Sequence, residues 1–105
     1  MITYEHLRVE LSELDAADVE RWIRAELLHA EGEPGAWRFE EIDVARLRLI
    51  LELRDELEVE EHTLPVVLSL VDQLYDMRRR MLRLNDALGE VPAELRARLL
   101  DRLLP

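Results

Sequence analysis

Carboxylates, arginines, three histidines and two serines are the groups in this 105-residue chain whose types could support chemistry. Their spacing argues against catalysis. Ser12 and Ser69 have no histidine and acid in a recognisable triad arrangement. His6, His29 and His62 are scattered, with no His-x3-His or HExxH spacing to hold a metal. The acid pairs Glu40–Glu41 and Glu60–Glu61 are adjacent in sequence, so on a helix the two members point in different directions. There is no cysteine and no glycine-rich phosphate loop, so thiolate chemistry is excluded and a reducing compartment fits. The expectation is a non-enzyme without cofactor or metal.

Charge carries more information than any motif. The net charge is −10, and it is unevenly placed. Residues 1–45 hold twelve acids against four arginines, whereas residues 46–105 hold twelve against ten. All fourteen basic residues are arginine. An acidic N-terminal half repels duplex DNA, whose affinity for proteins comes largely from cations that neutralise phosphates. No apolar run reaches the roughly 20 residues needed to span a bilayer, and no basic segment followed by an apolar run marks a signal peptide. A cytoplasmic protein without membrane association is expected.

Positioning these groups falls to elements that are mostly helical, since charged residues are abundant and glycine is scarce. Thr3 can cap a helix over 4–14, with Leu7, Leu11 and Leu14 spaced for burial. Asp15 caps a second helix to about Leu28, burying Val19, Trp22, Ile23 and Leu27 and exposing Ala17, Glu20, Arg21 and Arg24. Gly32, Pro34 and Gly35 break that helix, and residues 29–39 read as a hairpin. On its returning strand Trp37 and Phe39 share the side that covers the helices. Stacking of Trp37 on a nucleic acid is opposed by Glu31, Glu33, Glu40 and Glu41.

A third helix over 40–57 is apolar on a broad arc (Ile42, Val44, Leu47, Leu49, Ile50, Leu51, Leu53, Leu57) and should be the central core helix. Thr63 can cap a fourth over 64–88, with Pro65 tolerated in its first turn. There Val67, Leu74, Met81 and Leu88 fall on one heptad position and Leu70, Met77 and Leu84 on the other. That alternation predicts a homodimer seam. Arg78, Arg79, Arg80 and Arg83 flank it, and Leu95, Leu99, Leu100 and Leu103 give a short last helix an apolar side. The expected organisation is a head over 1–62, a dimerisation helix over 63–89 and a short terminal helix over 90–105.

Three stretches carry a resemblance. LDAADVERWIRAELL, WRF and EEIDVARLRLILELR, within residues 14–57, look like the second helix, wing and third helix of a MerR-type winged helix-turn-helix head. Within that superfamily the run from Trp37 to Leu74 is similar to the CbpM-type chaperone modulators, above all DELEV leading into VVLSLVDQL. The chain departs from that family at Glu58 and Glu60, where Gly and Asn are common, and its tail from Pro92 is extra. The resemblance implies a mainly α fold with a long coiled-coil-type helix. It also implies a protein that binds the J-domain of a CbpA/DnaJ-like co-chaperone and blocks its encounter with Hsp70. Glu20 takes a place where DNA-binding MerR proteins commonly carry arginine.

J-domains commonly present a basic helix, so an acidic surface can compete for it by charge complementarity. The candidate partner-binding residues are Glu10, Glu13, Asp15, Asp18 and Glu20. The alternative is a MerR-like transcriptional regulator that contacts phosphates through Arg21, Arg24 and Arg38.

Overall fold

The computed structural model describes residues 1–104. Among these the chain is mainly helical and falls into two compact units, Met1–Leu68 and Ser69–Pro105. The boundary lies inside a continuous helix.

The first unit opens with strand β1 (Ile2–Thr3) and helix α1 (Tyr4–Glu10). The Thr3 side chain caps α1, accepting from the His6 N–H at 3.2 Å. The helix ends four residues short of the expected Leu14. Leu11 leaves helical geometry, and the Leu14 N–H donates to the Leu11 carbonyl, so a turn rather than a helix brings Leu14 into the core.

Helix α2 (Ala16–Arg24) starts at Asp15, whose side chain accepts from the Ala17 N–H. It stops before the expected Leu28, and not at a glycine. Glu26 takes the left-handed conformation (φ 60°), the Leu27 N–H donates to the Trp22 carbonyl, and the Glu26 N–H donates to that of Ile23. This is the Schellman arrangement with glutamate in glycine's usual place.

The hairpin that follows is held by a bridge between Glu31 and Arg38. Gly32 and Gly35, both at positive φ, make its turn. Strand β2 (Arg38–Phe39) pairs antiparallel with β1, with Ile2 opposite Phe39. The sequence reading did not anticipate this partner, because two residues are too few to show an alternation. Trp37 and Phe39 are both buried, as their spacing predicted, and Trp37 meets the Tyr4 ring edge-on at 5.2 Å between centroids.

Helix α3 (Glu41–Asp55) begins with a capping box in which the Glu40 N–H donates to Asp43. It is the central core helix: Val44, Leu47, Ile50, Leu51 and Leu53 are buried. The ends of its expected apolar arc depart from that reading. Ile42 and Leu57 are exposed, since they lie in the first turn and beyond the last one, where the helix has no neighbour to cover them.

A 3-10 turn (Glu61–Thr63), in place of the expected Thr63 cap, leads into helix α4 (Leu64–Gly89). Leu64 and Leu68 are buried, which explains why the first unit extends six residues past the expected limit of 62. The second unit comprises the rest of α4 and helix α5 (Ala93–Leu103). No described residue of it is buried.

Candidate functional site

The five candidate acids lie on α1, the turn after it and α2, and their surroundings differ. Glu10 accepts from Arg48 at 3.1 Å and lies 3.3 Å from His6. Asp15 is the α2 cap. Glu20 accepts from Arg24 at 2.9 Å, one turn along the helix. Glu13 is exposed, and its only polar partner among the described residues is the neighbouring Ser12 hydroxyl.

Asp18 sits at the centre of a network. It accepts from Arg21 and from Arg54 at 2.7 Å each. Partial burial disfavours its charge, but the hydrogen bonds and charges of the two arginines outweigh burial and hold its pKa below the usual carboxylate range. Arg54, bonded to Asp55 and Asp18, is held in its charged form, with its guanidinium 5.4 Å from the centre of the Trp22 ring. Arg21 also donates to Glu61 at 2.8 Å, and the same Glu61 oxygen accepts from the Trp22 indole N–H at 2.7 Å. The network therefore ties α2 to α3 and to the turn that starts α4.

Two of the three arginines considered as phosphate contacts are paired with carboxylates. Arg21 is held by Asp18 and Glu61, and Arg24 by Glu20. Arg38, exposed on β2, makes no ion pair among the described residues.

The structure adds acids that the sequence reading did not single out. Glu13 lines an open hollow of about 240 Å³ with Glu52 and Asp55 of α3 and Glu56 just after it, together with Leu11 and Leu51. Arg48, bonded to Glu10, closes one side. Positions 52, 55 and 56 share one helix face at i, i+3 and i+4 spacing and read from the sequence as part of the solvated side of the third helix, which gives no sign that Glu13 joins them.

The seam residues fall mostly in the second unit. Leu70, Leu74, Met77, Met81 and Leu84 are exposed along α4, and Leu88 is half-buried. Val67 lies in the first unit and packs partly against that unit's own core.

Among the described residues no group of three or more His, Cys, Asp or Glu is arranged to hold a metal ion. No helix among them is long and apolar enough to cross a membrane. Comparison with known proteins finds no matching family, no matching curated protein and no matching solved structure.

Proposed function

We propose that this chain is a non-catalytic chaperone modulator. Its head would be a MerR-like winged helix-turn-helix, with the Glu31–Arg38 hairpin as the wing. That head would bind the J-domain of a CbpA/DnaJ-like co-chaperone through its acidic surface and keep it from Hsp70. The exposed α4 seam would join two copies, and no cofactor takes part.

The observation that carries this reading is the pairing of Arg21 and Arg24 with Asp18, Glu61 and Glu20. A helix that reads DNA needs free cations facing phosphate. Here both cations of α2 are paired with carboxylates, Arg21 by two and the exposed Arg24 by one, and the surplus charge of the N-terminal half is negative. Glu13, with the acids around the hollow, would meet a basic helix, and the apolar lining of Leu11 and Leu51 would take the aliphatic stems of its lysines or arginines. Charge pairing of this kind acts mainly on encounter rate and partner choice.

The test is binding of a purified J-domain to the full chain, followed by interferometry at several salt concentrations. Binding that weakens with salt is expected, and Glu13→Arg combined with Glu56→Arg should weaken it at least tenfold. These two positions spare the Asp15 cap and the Asp18 network. Unchanged capture by that variant would remove this surface. Indifference to J-domains with tight, sequence-selective duplex binding would establish the regulator instead.

A further inference from the structure

The second unit has two uncovered apolar faces. On α4 the heptad positions Leu70, Leu74, Met77, Met81 and Leu84 are all exposed, Leu74 at 68% and Met81 at 64%. On α5 an arc formed by Leu95, Leu99, Leu100 and Leu103 is exposed too, Leu103 at 60%. Arg96 lies within that arc. Its Nη2 donates to the Val91 carbonyl at 3.4 Å, but its Nε is buried with no partner, alone in this among the buried side-chain polar atoms of the described residues. Buried donors are rarely left unpaired in a finished assembly.

Area decides what the α4 face needs. Five side chains exposed by between 48% and 68% give a seam of roughly 500 Å² per copy, short of the roughly 800 Å² per partner typical of a stable interface. The four α5 leucines add about 300 Å², which closes the gap.

We propose that α5 is part of the dimer interface: its leucine face packs against the α4 pair of a two-copy assembly, which becomes a four-helix cluster with Arg96 paired inside it. The occupant of both apolar faces is a second copy of this chain. This rests on the dimeric part of the proposed function and adds an element to it.

The experiment is sedimentation equilibrium of the full chain between 1 and 100 µM, on the order of the range where such small interfaces dissociate. The unsubstituted chain should be dimeric and L74D with M81D monomeric. L99E with L103E should raise the dissociation constant at least tenfold, glutamate being chosen because it preserves helix propensity. Ala97→Glu, on the exposed polar side of α5, should leave the constant unchanged. An unchanged constant for L99E with L103E overturns the role of α5 while leaving an α4 dimer standing. Equal weakening by Ala97→Glu also overturns it. A chain that is monomeric throughout ends the dimer and this inference together, whereas J-domain capture is decided by its own measurement.

Discussion

At the scale of single residues, the joint made by Glu61 is the most exposed to test. Its Oε1 takes both the Trp22 indole N–H and the Arg21 guanidinium, and Trp22 is only 1% exposed. Glu61→Ala leaves the indole N–H unpaired, and a loss of about 1–2 kcal/mol in urea unfolding is expected. Asp18 gives a second prediction. Its pKa is lowered in the folded chain, so its contribution is complete above the unfolded carboxylate value and is lost as the pH falls through the folded one. Stability should therefore drop below about pH 4. Asp18→Asn should cost about 1 kcal/mol at pH 7, after allowance for its partial solvation, and should flatten that acid limb. The caps at Thr3 and Asp15 were legible in the sequence, because residue type and spacing specify a cap locally. The network of Asp18, Arg21, Arg54 and Glu61 was not, because its members are brought together from positions as much as 40 residues apart.

At the scale of elements, three conformations at the helix ends and hairpin turn decide where the chain changes direction. Gly32 has φ of 93°, and a Cβ there would meet the Ala36 carbonyl oxygen at 2.8 Å. Gly35 has a similar φ of 86° but nothing within 4 Å. Gly32→Ala should therefore cost more in thermal unfolding than Gly35→Ala, the first exceeding about 1–2 kcal/mol because backbone must shift as well as strain. Glu26 holds a left-handed conformation that glycine would adopt without strain, and Glu26→Gly should raise stability by about 0.5 kcal/mol, less than the full relief because the unfolded chain gains freedom. The same residue hides the end of α2 from the sequence. The helical pattern of α2 runs on through Leu27 and Leu28, and with no glycine at the stop the sequence offered no sign of where it ends. The strand pair β1–β2 was hidden for a different reason, since a two-residue ladder joining residues 2 and 39 leaves no periodicity. By contrast α3 and α4 were legible in existence and nearly in extent, because long apolar periodicities average over local exceptions.

At the scale of the whole molecule, the charge imbalance makes a prediction about association. A chain of net charge −10 whose surplus lies mostly in residues 1–45 should bind a basic partner with a rate that falls as salt rises, because screening shortens the reach of that field to about 8 Å at physiological strength. Stopped-flow association with a J-domain at 50 and 300 mM salt would read this directly, and an unchanged rate would separate binding from charge. The division of the chain after Leu68 has a further effect on α4 itself. Leu64 and Leu68 in its first turns are buried in the first unit, while no described residue of α4 from Ser69 onward is buried. Amide protons near Leu68 should therefore exchange with deuterium only when the head unfolds as a whole. Those a few residues further along the same helix should exchange by local fraying, at a rate that slows as the protein is concentrated.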